Sequence, residues 1–355
     1  MNSLVDDLMD FIGRFVVMSD DQRLIVALWV IHTHCLDAFE QTPYLAVTSP
    51  EKQCGKSRLI EVLEVLVVQP WVSILPSEAV LYRRIEQVEP TLLFDEIDTI
   101  FSPKTADKYE GHRALLNAGH RRGAKVPRCI GTSQEIAEFR VFCPKVLAGI
   151  GVLPDTIADR SIPIRLERKK RAEKVERFLI REVTPTADAL KDGMRAYAED
   201  HTEGLDGNYP EMPEVLSDRM QEGTECLVAI ADTLGYGRDA RDALVALLTE
   251  ERLDHHETMR IRLLRDLYEM FETLDGARGA PTENILDYLV HVKKESPWRN
   301  YYGRRLDAPD LAALLKHFGV KPDVIRVDSE TTKRGYRRKD LQDVWDRYLT
   351  PEDGQ

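Results

Sequence analysis

The sequence predicts an α/β protein in which a parallel-sheet domain is followed by a helical region and a small C-terminal module. Three observations carry that prediction. Short apolar runs alternate with helical patterns over residues 41–170, the sign of strands joined by crossover helices and so of a parallel sheet. Residues 172–275 read as helical throughout. After Gly276, Gly279 and Pro281 the texture changes to helix, helix, hairpin and helix, which suggests a winged-helix-like module. The expected organisation is N-terminal helices at 1–40 packing on a sheet domain at 41–170, a helical lid at 171–278 and the winged-helix-like domain at 279–355.

Taken in order, residues 3–39 form two helices, with Leu4, Leu8, Phe11, Ile12 and Phe15 at helical spacing and a second apolar block at 24–34. Residues 44–48 suit a buried strand, followed by a helix at 58–68, a strand at 72–75, a helix at 78–86 and a strand at 91–94. A helix at 112–122 precedes two short strands, 126–130 and 139–143, joined by a polar turn around 132–135. Strands at 145–151 and 162–166 complete the domain, with a turn or short helix at 154–160 between them. Apolar stripes at 216–234 and 240–248 mark lid helices. In the tail, helices at 282–292 and 306–318 precede hairpin strands at 324–327 and 335–338 and a last helix at 339–349; Thr282 caps the first of these, with Glu283 in its first turn.

Of 355 residues, 43% are hydrophobic and 31% charged, a soluble globular balance. The start of the chain carries Asp6, Asp7 and Asp10 rather than a basic segment and apolar block, so it does not read as a signal peptide. No apolar stretch is long enough to span a bilayer. Cys35, Cys54, Cys129, Cys143 and Cys226 are scattered and odd in number, which fits a reducing, cytoplasmic compartment without disulfides or a zinc site. A net charge of −12 means that any contact with nucleic acid is local, a lined channel or one patch.

The stretch Pro50-Glu51-Lys52-Gln53-Cys54-Gly55-Lys56-Ser57 matches the phosphate-loop pattern Gly-x-x-x-x-Gly-Lys-Ser/Thr except at its first position, where Pro50 stands for glycine and fixes φ near −65°. Such a loop turns backbone N–H groups toward phosphates. Gly55 permits close approach, the Lys56 ammonium reaches the β- and γ-phosphates, and the Ser57 hydroxyl coordinates Mg²⁺. The helix that starts at Arg58 adds its positive end. About forty residues on, the apolar strand Thr91-Leu92-Leu93-Phe94 ends in Asp95-Glu96. Asp95 is placed to hold the Mg²⁺ shell and Glu96 to orient or deprotonate a water. Either motif alone has an ordinary reading, a chance Gly-Lys-Ser at a helix start or an acidic turn. Together and in this order they specify a P-loop NTPase that takes ATP and Mg²⁺. Hydrolysis also needs positive charge on the γ-phosphate. Arg160, just before the last strand, is the candidate finger for a neighbouring subunit, against a salt bridge with Asp159. Arg219, at the start of a lid helix, is a candidate contact to the nucleotide of its own chain, against an ordinary helix charge pair. Ala148-Gly149-Ile150-Gly151 offers no polar sensor side chain, which leaves Thr132, Ser133 or Asn117.

These motifs, with Pro43-Tyr44-Leu45, Leu116-Asn117-Ala118-Gly119-His120-Arg121-Arg122-Gly123, Leu153-Pro154-Asp155-Thr156-Ile157-Ala158-Asp159-Arg160-Ser161-Ile162, Leu216-Ser217-Asp218-Arg219 and Gly335-Tyr336, resemble the phage and mobile-element ATPases catalogued as domain of unknown function 3631. The resemblance covers nearly the whole chain. It implies an AAA+-like ATPase found near phage replication genes, working in a bacterial host cell. No primase-like domain is visible.

Two jobs stay open at this stage. One is a ring-shaped DNA helicase or replication motor similar to superfamily 3 helicases, in which a hairpin between the corresponding strands lines the channel. In that reading Lys125, Arg128 and Arg140 contact single-stranded or forked DNA, Arg121 and Arg122 do so or face the neighbouring ATP site, and Lys333, Arg334, Arg337 and Arg338 track phosphates from the C-terminal hairpin, with Tyr336 stacking or packing. The same charges read equally as solvated turns. The other job is an AAA+ switch that acts on a protein partner, such as a replication protein, without unwinding, as a helicase loader, a regulator or a phage-exclusion factor. A finger acting in trans requires a homo-oligomeric ring, expected to be a hexamer. His255-His256 lacks a third ligand at metal spacing, His32 and His34 read as core or interface groups, and Cys54 is oxidation-sensitive at most.

Overall fold

In a computed structural model of the chain, the described residues are 3–49, 53–74, 76–101, 107–130, 135–150, 153–170, 173–255, 259–274, 277–293, 297–301, 304–316, 318–326 and 332–349. Pro50, Glu51, Lys52, Thr132, Ser133, Gly151 and His256 lie outside them. The chain divides into two compact units, residues 1–250 and 251–355.

The first unit runs α1 (Leu4–Gly13), α2 (Asp20–His34), β1 (Tyr44–Ser49), α3 (Lys56–Glu64), β2 (Pro70–Ser73), α4 (Glu78–Val88), β3 (Thr91–Phe94), α5 (Asp98–Phe101), α6 (Glu110–Ala118), β4 (Lys125–Ile130), β5 (Glu135–Arg140), β6 (Lys145–Ile150), α7 (Asp155–Ala158), β7 (Ser161–Arg165), α8 (Ile180–Leu205), α9 (Asp218–Leu234) and α10 (Gly237–His255), whose last turn passes the unit boundary. Reciprocal capping boxes start the first two helices. Ser3 and Asp6 cap each other, as do Ser19 and Gln22, so two orphan N–H groups are satisfied at each start.

Five parallel strands form a sheet in the order β2-β3-β6-β1-β7. β1 is buried on both faces, and its side chains alternate between two cores. Leu45 and Val47 join the core that holds α1, α2 and α3, while Tyr44 and Ala46 join the core that holds α4, α6 and the β4–β5 hairpin. Because all strands are parallel, β1 and β3 end at the same edge with β6 between them, the crevice where open α/β sheets take ligands.

Three expectations change here. The helices expected to form a lid are not a separate layer: Val183 and Met194 of α8 and Leu227 and Ile230 of α9 share one core with Leu28 and Val47. The second hairpin strand is Glu135–Arg140 rather than 139–143, pairing Lys125 with Arg140 through Ile130 with Glu135. Val141 and Cys143 are apolar because they are buried in the connection to β6, not because they lie in a strand. The third concerns α11 (Met259–Thr273), assigned to the lid by sequence, which builds the second unit.

Lys145 anchors the entry to β6. It is fully buried, and its ammonium spends all three protons on the carbonyls of Gly119 (2.9 Å), Val141 (3.2 Å) and Cys143 (2.8 Å) beneath the Tyr44 ring. Burial lowers its pKa. A side chain on Gly119 would collide with the Val141 carbonyl at 2.5 Å and the Lys145 ammonium at 2.6 Å, so only glycine fits that junction.

The second unit continues with β8 (Gly279–Pro281), α12 (Thr282–Asp287) extended by a π-helical turn at Tyr288–Val292, α13 (Ala308–Lys316), β9 (Asp323–Arg326), β10 (Thr332–Arg337) and α14 (Arg338–Tyr348). Its strands form an antiparallel sheet in the order β8-β10-β9. Leu263, Leu267 and Phe271 of α11 pack with Ile285, Leu311, Leu341 and Trp345. The Trp345 indole donates to the Leu264 carbonyl at 3.0 Å, and the Trp298 indole to the buried Asp266 carboxylate at 2.6 Å. No described helix in either unit is long and apolar enough to cross a membrane.

Candidate active site

The carboxyl edge of the parallel sheet collects the two sequence motifs. α3 starts at Lys56 directly after Gly55, whose φ of 96° is the left-handed conformation that favours glycine. A Cβ built there would make only ordinary van der Waals contacts, with Val16 at 3.7 Å and Leu166 at 4.0 Å, so backbone conformation rather than crowding selects this glycine. Gln53 also has positive φ, 66°. Successive turns with left-handed residues are a general way of building anion-binding concavities. Cys54 is buried in the core beneath the loop. The Lys56 ammonium meets the Ser49 hydroxyl at the end of β1.

Across from it, the exposed Ser57 hydroxyl donates to Asp95 Oδ2 at 3.1 Å. The other Asp95 oxygen accepts from the Glu96 N–H at 3.0 Å. Glu96 has φ 61°, unusual for a residue with a side chain, and strained backbone of this kind clusters at functional sites. Its neighbour Ile97 is buried and donates to the Ala148 carbonyl of β6 at 2.9 Å, which fixes the turn. Glu96 itself is exposed, with no side-chain partner among the described residues. The structure thus brings together Lys56, Ser57, Asp95 and Glu96. Arg58 points elsewhere: it pairs with Glu61 at 2.6 Å and lies over the Phe178 ring.

The amino edge of the same sheet collects the arginines. Arg160 precedes β7, its carbonyl accepts from the Tyr44 N–H at the start of β1, and its guanidinium donates to the Thr156 carbonyl and approaches His120 Nε2 at 3.4 Å. Arg219 bonds Asp159 Oδ2 at 3.1 Å. Its expected contact to the nucleotide of its own chain is therefore corrected, because Asp159 stands beside Arg160 at the opposite end of β1 from Lys56. A cleft of about 310 Å³ is lined here by Arg121, Arg160, Arg219, His120, Asp159 and Glu222, among others. Burial, with Arg160 and Lys145 nearby, pushes His120 down to about 4, so its ring is neutral at pH 7. Arg122 is committed to structure: it donates to the Phe39 and Leu36 carbonyls at 2.9 and 2.7 Å and lies over Phe142. Asn117 stands on α6 next to Leu116, whose carbonyl accepts from the Tyr44 hydroxyl, so it too lies toward the amino edge. Glu222 was missed in the sequence, where nothing local marks it, and His120, though part of the stretch that carries the family resemblance, was given no role.

The basic residues assigned to nucleic acid are mostly held by acids of their own unit. On the first hairpin, Lys125 pairs with Glu138 at 3.3 Å, Arg128 with Glu78 at 3.8 Å and Arg140 with Glu89 at 3.9 Å. On the second, Lys333 pairs with Glu283, Arg337 with Asp323 at 2.6 Å and Arg338 with Glu272. Arg334 is exposed, with no ion-pair partner among the described residues. Tyr336 is 1% exposed and packs in the core, which removes it from base stacking.

Comparison with known proteins adds a family. The family described as "Protein of unknown function (DUF3631)" matches residues 165–348. The chain belongs to this family. The matched stretch holds Leu216–Arg219 and Gly335-Tyr336 but begins after Lys56, Asp95 and Arg160. A relative in Saccharopolyspora erythraea, "Uncharacterized 28.9 kDa protein in xis 5'region", is 31% identical over 172 residues, which are 47% of this chain and 61% of the relative. The chain thus spans less than two thirds of that relative. A solved structure, "The A form apo structure of NrS-1 C terminal region-CTR", aligns with 94% of this chain and 73% of its own at 12% identity and a TM-score of 0.40.

Proposed function

We propose that this member of the family is an AAA+-like P-loop ATPase that works as a homo-oligomeric ring, expected to be a hexamer, and acts on DNA. The observation that carries the reading is the Ser57 hydroxyl set 3.1 Å from the Asp95 carboxylate, beside the Lys56 ammonium at the carboxyl edge of a parallel sheet. A hydroxyl and one carboxylate are a fitting donor set for Mg²⁺, which keeps waters and takes its remaining ligands from phosphates. Ser57 and Asp95 would hold the ion, whose charge offsets that of the phosphates. Lys56 would reach the β- and γ-phosphates, and Glu96, exposed and without a side-chain partner among the described residues, would orient or deprotonate the attacking water.

Arg160 supports the ring. From Tyr44 to Ser49, β1 spans about 16 Å at ~3.3 Å per residue, so Arg160 stands too far from the phosphate loop of its own chain. A head-to-tail neighbour brings the two edges together, and such a contact gives a ring when its rotation closes. DNA is supported by the second unit, whose order of helix, strand, two helices, hairpin and helix is winged-helix-like.

A second reading, a switch acting on a protein partner, is favoured by a different observation: the acids that pair with every basic hairpin candidate except Arg334, in a chain of net charge −12. Steady-state ATP hydrolysis at low salt, with and without single-stranded or forked DNA, tests both readings. The motor reading expects a several-fold rise with DNA and none of it in Lys56→Ala. Hydrolysis that needs Lys56 but ignores DNA selects the switch, and hydrolysis absent or indifferent to Lys56 removes the ATPase reading.

A further inference from the structure

Arg219 opens α9, and a lid arginine in that place is expected to touch the nucleotide of its own chain. Its observed place argues otherwise. The guanidinium bonds Asp159 at 3.1 Å, one residue from Arg160, and both arginines line the same cleft with Arg121. Two acids face these three cations: Asp159, and Glu222, which accepts from Gln41 at 3.3 Å. His120 is neutral, so the cleft keeps a surplus of one positive charge, three minus two. The Arg219 side chain is 61% exposed, so its head faces outward. Arg122 shows what a structural arginine looks like in this neighbourhood, with its guanidinium fixed on two carbonyls and a ring. Among the described residues Arg219 has one ion pair, with its side chain exposed, and such a pair contributes little to stability and exchanges readily for a stronger anion.

We infer that Arg219 acts in trans: together with Arg160 it grips the terminal phosphates of the ATP bound to an adjacent copy of this chain. Asp159 holds the guanidinium in register and yields it to those phosphates. Two planar guanidinium groups on one cleft match the bidentate geometry of phosphate oxygens. The inference rests on the ring reading, and it moves Arg219 from the nucleotide of its own chain to the neighbour's.

Co-expressed pairs of full-length variants separate the two ideas. Alone, Arg219→Ala should lower Mg²⁺–ATP hydrolysis roughly 10²-fold, the scale for losing one charge-stabilising donor, while a fluorescent ATP analogue still binds at the Lys56 site. Random assembly of Lys56→Ala with Arg219→Ala chains completes about one interface in four, so hydrolysis should recover to about that fraction of wild type. A merely structural role for Arg219 gives no such recovery, because the defect then stays in the chain that carries it. Lys56→Ala with Arg160→Ala should recover alike. Recovery of that control without recovery of the Arg219 mixture overturns the inference and leaves the ring in place, whereas failure of both mixtures overturns the ring as well. Arg160→Ala with Arg219→Ala should stay inactive, since every interface lacks one arginine. Recovery in that mixture means that Arg219 serves its own nucleotide.

Discussion

The two edges of the parallel sheet are built on opposite plans. At the carboxyl edge, among the described residues, Glu96 is exposed with no side-chain partner and a left-handed backbone, the exposed Ser57 hydroxyl bonds Asp95, and the Lys56 ammonium bonds Ser49. At the amino edge the polar groups are many and cross-linked. Arg160 meets Thr156 and His120, Arg219 meets Asp159, Arg122 meets two carbonyls, and Lys145 meets three. Unsatisfied groups suit a place where a ligand supplies the missing bonds. Pre-bonded arginines suit a place that must present a fixed geometry to a partner. On the proposed function the chemistry would sit at one edge, and the charge that drives it would be delivered from the other.

Substitutions at each edge test the division. The largest effect is expected at the amino edge, where Arg160→Ala should slow hydrolysis roughly 10³–10⁵-fold, the scale of an arginine finger. ATP affinity at the opposite edge should hardly move. An equal loss of nucleotide binding would show that Arg160 supports the fold of the phosphate loop instead. At the carboxyl edge Glu96→Gln should cost roughly 10²–10⁴-fold in turnover, and the variant should still bind ATP, because no described contact depends on that carboxylate. A Glu96→Gln chain with wild-type turnover would remove the water-positioning role. Single-turnover kinetics with labelled ATP measures both variants.

The carboxyl edge was the more legible of the two in the sequence, for a physical reason. Its residues come from two short contiguous segments, and Gly55-Lys56-Ser57 and Asp95-Glu96 each carry their own strand or helix context. Strands buried on both faces were also legible, since burial forces a continuous apolar run: β3 falls on the expected residues, and β1, β6 and β7 within one. The edge strand β2, half exposed, starts two residues earlier than its apolar run suggests. The amino edge was opaque because its contacts are long-range. Asp159 and Arg219 are 60 positions apart, and periodicity tells which face of α9 is buried but not what stands beside its first turn. The same blindness placed α11 with the lid, because its apolar stripe resembles those of α9 and α10 while its partners, Leu311 and Trp345, come later in the chain. Charge runs misled in a similar way: Lys333 and Glu283 are 50 positions apart, so the neutralisation of the second hairpin does not show in its own residues.

The smallest expected effect concerns how the amino edge is kept in shape. Thr42, just before β1, donates its N–H to the His120 carbonyl at 2.9 Å, and its hydroxyl lies 3.0 Å from His32 Nε2. Burial and the nearby Arg122 push the fully buried His32 down to about 3, and His120 is held at about 4. Both values lie below the ordinary histidine value near 6.5. The unfolded chain therefore takes up these protons first as pH falls, and the folded state loses stability from about pH 6.5 downward until the folded groups protonate near 4 and then 3. Above pH 6.5 the contribution is complete. The clean window is about pH 6.5 to 5, above the range where carboxylates titrate. In urea unfolding across that window, wild type should lose stability steadily, and His32→Gln, which keeps a hydrogen-bonding group near Thr42, should show a slope shallower by about one proton. Burial also lowers His34 and His112, so the slope should shrink rather than vanish. A slope unchanged in His32→Gln would mean that this ring is not held neutral, and that the amino edge carries one more positive charge than the arginine cleft has been credited with.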